Sequence, residues 1–354
     1  MDTKQFMAEN EKKVKVSVVV IAIIIIAVFL FLTTGLLIYI FGMDNNYTQK
    51  ISKVIPYPAA TINYKKIILL SELKDDLKSI KMFYENQDFS EIGMRVDFNT
   101  SDGQKRLKIK ERNLLNKKIE DAIIRDLAEK KGIKLNSDDI SQEVERKISE
   151  YGDREEITKN LMNLYGWDIE KFKLKIVKPD MYKESLSKSI QEDDKEMMES
   201  RKKINMAASA LKNKEDFDDV AKKYSEGDSA KEGGELGWLT ADQLIPEVAI
   251  AAFIHDKGDV SDIIESEIGL HIINIEDKKT EDGIDKVKLR QIFVRSKNFG
   301  DWLLEQEKSY NIYIPLKDYY WDKNSQEVQF RSNDLREFES KLLENSPDDI
   351  SIIF

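Results

Sequence analysis

Few side chains in this sequence can do bond-making chemistry. Its 354 residues hold two histidines, His255 and His271, and no cysteine, which removes thiol nucleophiles, disulfides and zinc–thiolate sites at once. Carboxylates are plentiful, but their spacing contains no calcium loop, so no metal site is expected. His255 ends an apolar helical run before Lys257-Gly258, where an imidazole serves the negative end of the helix dipole or faces solvent. His271 falls within Leu270–Ile275, an apolar run with strand character, five residues after Ser266. An imidazole there can accept and donate hydrogen bonds; the plainer alternative is a core histidine satisfied by its neighbours. Gly227 to Trp238 holds four glycines in twelve residues. No apolar strand precedes them and no Gly-Lys-Ser/Thr ends them, so a phosphate cradle is not indicated.

Around these residues the strand and helix signals alternate. Ala207 to Tyr224 reads as one amphipathic helix and Asp242 to His255 as a short one, followed by strands at Val260–Ser266, Leu270–Ile275 and Val287–Arg295. Upstream the spacing is helical. Leu114, Leu115, Ile119, Ile123 and Leu127 recur at steps of mostly three and four, closed by Lys131-Gly132. Ser137 is the expected cap of a second helix with Ile140, Val144 and Ile148 as its buried stripe. A third runs from Glu155 to Leu164, and a long one starts at Asp168 and continues past Pro179 toward Lys203. Lys53 to Asn63, with two prolines one residue apart, reads as a linker or extended entry.

Val16 to Met43 is a run of 28 uncharged positions, longer than the roughly 20 apolar residues that cross a bilayer. A cleaved signal peptide would have a shorter apolar stretch and a small-x-small cleavage site. One transmembrane helix is therefore expected, and Lys4, Lys12, Lys13 and Lys15 before it, against Lys50 and Lys53 after it, favour a cytoplasmic N-terminus. The formal charge of −10, with both signs interspersed, argues against nucleic acid as a partner.

The order GIKLNSDDISQEVERKI, then LMNLYGWDIEKFKLKIVKP, resembles the helical module of SurA- and PrsA-type chaperones, over about residues 58 to 195. The segments EDFDDVAKKYSEGDSAKEGGELGW, QLIPEVAIAAF, KGDVSDII and IGLHIINIED resemble, in order and spacing, the parvulin (PpiC or rotamase) peptidyl-prolyl isomerase domain. That resemblance implies an α+β fold with a four-stranded antiparallel sheet, cis/trans rotation about X-Pro bonds and no cofactor. The family's first strand has no counterpart ahead of the domain, where Lys183 to Lys203 is charged and helical. Val287 to Arg295 is expected to supply it from the C-terminal side, as a circular permutation. A hairpin loop centred near Glu281 would then set His271 opposite Gln291.

By resemblance, His271, Gln291 and Ser266 occupy catalytic positions, and Leu236, Leu244, Val248 and Phe253 the proline pocket or the core beneath it. The sequence departs from the pattern at Gln291 for a second histidine, Gly227 for Cys or Asp, Val248 for an aromatic wall and Ile268 for a polar residue; Glu226 or Asp228 is a candidate for the displaced acid. Arg295 and Lys297 are too few for a phosphoserine-reading patch. The expected organisation is a cytoplasmic segment 1–15, transmembrane anchor 16–43, linker 44–63, helical chaperone region 64–203, isomerase domain 204–312 and C-terminal extension 313–354, the last packed on the isomerase. Together these imply a single-pass, membrane-anchored extracytoplasmic prolyl isomerase and chaperone, with unfolded or nascent exported proteins containing X-Pro bonds as partners and the bilayer engaged through 16–43. The alternative is a catalytically degenerate parvulin acting as a holdase or binding scaffold.

Overall fold

The computed structural model describes residues 16–87, 97–281 and 283–345; the expectations for 1–15, Asp282 and the last nine residues lie outside them. The chain divides into two compact units. The first comprises residues up to Glu120, Gly152–Ile169 and everything from Tyr310 onward, and the second Asp121–Tyr151 with Glu170–Ser309.

In the first unit the apolar run forms helix α1 (Val16–Tyr39), four residues shorter than expected. The proposed linker is structured. It contains helix α2 (Asn46–Val54), capped by the Asn45 side chain, and strand β1 (Pro58–Ile62). Pro58 is the first residue of β1, a position where a missing N–H costs no ladder bond. β1 is central, pairing antiparallel with β2 (Lys66–Leu69) on one side and, with its far-end partner in sequence, β7 (Ile312–Tyr313), on the other. Helices α3 (Leu70–Asn86) and α4 (Ser101–Lys130) follow β2. The C-terminal residues, expected to pack on the isomerase sheet, instead fold within this unit, as β7, the hairpin β8 (Tyr319–Asp322) and β9 (Glu327–Phe330), and α13 (Asn333–Asn345). Glu111 of α4 explains the attachment: its buried carboxylate meets Lys74 at 2.5 Å and Lys108 at 3.2 Å and accepts from Tyr319 Oη at 2.7 Å. Burial alone would raise this carboxyl, but the two lysines outweigh it and hold its pKa down to about 2. Helix α6 (Arg154–Tyr165) is capped by Asp153 at its start and by Gly166 in the left-handed conformation at its end, and stacks Tyr165 on Phe83 at 4.9 Å.

In the second unit α5 (Ser137–Tyr151) buries Ile140, Val144 and Ile148 as expected, although Asn136, not Ser137, caps it by accepting from the Asp139 amide at 2.7 Å. The expected long helix does pass Pro179. It does so as α7 (Ile169–Phe172), a π-turn at Lys173–Val177 and α8 (Lys178–Asp193); the wider turn accommodates a ring that an α-helix would drive into the preceding carbonyl. Asp194 ends α8 and caps α9 (Lys195–Lys212). The single helix expected over Ala207–Tyr224 is two. Lys214, at φ +66°, breaks the chain after α9, and Asp216 caps α10 (Phe217–Tyr224).

A four-stranded antiparallel sheet follows, in the order β3-β6-β5-β4, from β3 (Glu235–Leu239), β4 (Ile264–Ser266), β5 (Gly269–Glu281) and β6 (Ile284–Arg295), with α11 (Pro246–Ile254) between β3 and β4. Of the strand expected from Val260, only an isolated bridge at Val260 and the last three residues are paired. Alternation sorts β5 and β6 between two layers. Leu270, Ile272, Ile292 and Val294 pack under α9 and α10, while Ile273, Ile275, Val287 and Leu289 pack under α11 with Val248 and Ala252. The strand Val287–Arg295 is therefore an inner strand of this sheet, antiparallel to both β3 and β5, as the permutation requires. Helix α12 (Phe299–Glu307), capped by Asn298, closes the unit.

Candidate active site

The β5–β6 hairpin sets the site. Glu281 pairs with Ile284 at its closed end, and a bulge at Glu276 shifts the pairing by one, so His271 faces Phe293 and Gln291 faces Ile273. The expected direct pair of His271 with Gln291 is thus displaced by two residues; the two share a face as diagonal neighbours. Phe293, which the sequence reading passed over, tilts over the imidazole with ring centroids 4.9 Å apart. Asp282-Gly283 was the available turn signal, but the bulge that completes the register is not marked in the sequence.

His271 is 1% exposed. Burial pushes its pKa down to about 4, against weaker opposing effects of Gln291 and Glu247, so the ring is neutral at physiological pH. Nε2 lies 2.7 Å from Ser266 Oγ, and that hydroxyl also accepts from the Ile268 amide and lies 3.2 Å from the Gly269 carbonyl. All three contacts are satisfied when Nε2–H donates to Oγ and Oγ–H donates to Gly269; we assign this tautomer by that count. Nδ1 is then a lone pair, buried without a hydrogen-bond partner among the described residues. Ser266 occupies this place because β4 and β5 join through Glu267-Ile268, pairing Ser266 with Gly269. Gly269 lies so close to β6 that a Cβ would come 2.3 Å from the Val294 carbonyl.

Gln291 is fixed through its backbone, its amide donating to the Gly234 carbonyl at 2.8 Å. Gly234 has φ +79°, and a Cβ there would stand 2.4 Å from the Gln291 oxygen, so this glycine is required by both conformation and approach. Leu236, Leu244 and Phe253 are half-buried and pack on the cluster beneath α11. They lie on the layer of the sheet that carries His271. Val248 does not line a surface: it is wholly buried in that cluster, because its position on α11 faces the sheet. Glu226 holds Lys203 at 2.7 Å and accepts from the Arg295 amide at 2.8 Å, which commits it away from the imidazole. Ile268 is exposed at the tip of the β4–β5 turn. His255 has Nδ1 2.8 Å from the Ala251 carbonyl, in keeping with its reading as a helix-end residue.

A buried, neutral imidazole anchored by a hydroxyl, on a sheet layer rimmed by Leu and Phe, suits a reaction that makes and breaks no covalent bond. Residues 184–277 match the family model described as a PPIC-type PPIASE domain. The match ends before β6, so Gln291 and Phe293 lie beyond it. The chain is 32% identical over 220 residues to Foldase protein PrsA 2 of Bacillus anthracis, covering 54% of this chain and 73% of that protein. It is 26% identical over 220 residues to Foldase protein PrsA of Geobacillus kaustophilus, covering 55% and 76%. Chaperone SurA of Ralstonia nicotianae is 35% identical over 103 residues, but these span only 21% of its length. By its match to PrsA over most of that protein's length, the chain belongs to the PrsA foldase family and carries a parvulin-type isomerase domain.

Proposed function

We propose that the chain is a peptidyl-prolyl cis/trans isomerase and folding chaperone for exported proteins, held at the membrane by a single pass through α1 with its N-terminus in the cytoplasm. Its clients are unfolded or nascent exported chains containing X-Pro bonds. The observation that carries this reading is the neutral His271, fixed by Ser266 on the sheet layer under α11. Rotation about an imide must overcome about 18 to 20 kcal/mol of lost resonance, and catalysis is differential binding of the twisted form. In this reading Leu236, Leu244 and Phe253 hold the proline ring, and the Gln291 side-chain amide, which can donate one N–H to the Nδ1 lone pair of His271 and the other to the substrate, favours the twisted imide by hydrogen bonding. Ser266 positions His271. Val248 supports the pocket floor from within the core.

Domain roles follow the same reading. The helical segments between residues 64 and 203 hold unfolded client chain and the β3–β6 sheet acts on its prolines. The test is refolding of a client whose slow phase is an X-Pro isomerisation, with the full chain in detergent or nanodiscs. Acceleration by the wild type that is lost in His271→Ala supports the enzyme. A second reading, a holdase with a vestigial site, is favoured by the near-complete burial of His271; it is supported if aggregation of unrelated clients is suppressed equally by both proteins and refolding is accelerated by neither. Topology is tested by labelling single-cysteine variants in intact cells with an impermeant maleimide: Met162→Cys reacts if the bulk of the chain is outside.

A further inference from the structure

The outer end of α1 is claimed by the protein itself. Tyr57, 1% exposed, stacks on Phe31 with centroids 5.3 Å apart and donates to the Phe31 carbonyl at 2.7 Å, while Tyr39 Oη donates to the Pro58 carbonyl at 2.8 Å. Thr34 and Ile38, one turn apart, are buried by this contact. Leu32, Leu36 and Ile40, on a neighbouring stripe, remain exposed. From the start of α1 to Leu30 the helix covers only about 22 Å at ~1.5 Å per residue, short of the roughly 30 Å of hydrocarbon in a bilayer. The lipid must therefore rise past Phe31, along the Leu32–Ile40 stripe, to the level where Tyr57 and β1 are packed.

At that level the sheet β2-β1-β7 has an apolar outer face. Thr61 pairs with Ile67 on one side and Tyr313 on the other, so the three side chains form one row across the sheet. The opposite face, with Ile62, Ile68 and Ile312, is buried, whereas Ile67 and Tyr313 are 56% and 58% exposed. Tyr39, the last residue of α1, donates to the carbonyl of Pro58, the first residue of β1, which joins this sheet to the membrane span. Tyr64, 77% exposed, stands in the β1–β2 turn next to the exposed Lys65. Tyrosine at the headgroup level, with lysine beside it, is the composition of a membrane-interface surface.

We propose that the outer face of this three-stranded sheet is a second membrane contact, in which Ile67 and Tyr313 enter the interface and Lys65 faces anionic headgroups. The foldase would then stand flush on the bilayer and not on a free tether. The proposal rests on the reading of α1 as a membrane span, and the test separates the two. Because the chain has no cysteine, Ile67→Cys, Tyr313→Cys, Met162→Cys and Ile24→Cys each give a unique site for a bimane label. The labelled full chains are reconstituted in phosphatidylcholine vesicles with a minority of phosphatidylglycerol and a lipid nitroxide high on the acyl chain. Quenching at 67 and 313 at least about twofold above that at 162 is the expected result. Quenching at 24 but not at 67 and 313 overturns the surface and leaves the span. No quenching at 24 overturns both. Labels at 67 and 313 shielded from lipid nitroxide and aqueous iodide alike would mean that protein, such as a second copy, covers the face, and would also overturn it.

Discussion

His271 and Phe293 face each other across the β5–β6 hairpin, their rings 4.9 Å apart and inclined by 34°. The pair sits on the sheet layer beneath α11, and Phe293 closes one side of an imidazole whose other contact is Ser266. Phe293→Leu should keep the fold, since an apolar side chain still covers the ring, but reduce isomerase kcat/KM several-fold by loosening the imidazole. Parallel melting curves with a lower rate would bear this out; an unchanged rate would remove Phe293 from the site.

The acid stability of the second unit should carry the imprint of His271. Its folded pKa, about 4, lies below the value near 6.5 of an unfolded chain. The unfolded state therefore binds more protons between these values, and the contribution is fully present above pH 6.5 and lost as pH falls to about 4. At most it is worth about 3 kcal/mol. His271→Gln should flatten the decline in thermal stability across that window, and the isomerase rate should be flat from pH 5.5 to 8.

Glu111 predicts a separate transition. With its carboxyl held near 2 by Lys74 and Lys108, it stabilises the first unit fully above its ordinary value near 4.5, and that stability is lost as pH falls through about 2. Glu111→Gln leaves two lysines without their shared carboxylate and should cost about 3 kcal/mol. Limited proteolysis after Tyr310 would rise in the variant if Glu111 holds the C-terminal hairpin as the geometry indicates.

Gly234→Ala should weaken the β3–β6 pairing by about 1 to 3 kcal/mol, because its Cβ would meet the Gln291 carbonyl and its backbone is left-handed. Hydrogen exchange of the Gln291 amide, which donates to Gly234, is the local readout.

Much of this was legible in local patterns. The stripe of α5 and the strand supplied from beyond residue 286 follow from periodicity, turn residues and motif order. The hairpin register did not: Glu281, taken as the centre of the loop, itself pairs with Ile284, and the bulge at Glu276, unmarked by any glycine or proline, offsets only one position of that error. The break at Lys214 was hidden for a similar reason: apolar spacing continues across it, and the left-handed residue is a lysine. Pairing of β1 with β7 joins residues some 250 positions apart, beyond the reach of any local signal, and with it went the placement of the C-terminal residues. Burial of Val248 depends on which face of a nearly all-apolar helix meets the sheet, and a helix apolar all round does not declare that face.

The central claim is that the sheet catalyses X-Pro rotation through His271. The most direct measurement is exchange spectroscopy by NMR on an Ala-Pro peptide, with the full chain in nanodiscs at catalytic concentration. Cis/trans exchange accelerated by the wild type, and reduced at least about tenfold in His271→Ala with the fold retained, is the predicted result. Exchange at the uncatalysed rate with folded wild-type protein would contradict it and assign the chain's work to client binding alone.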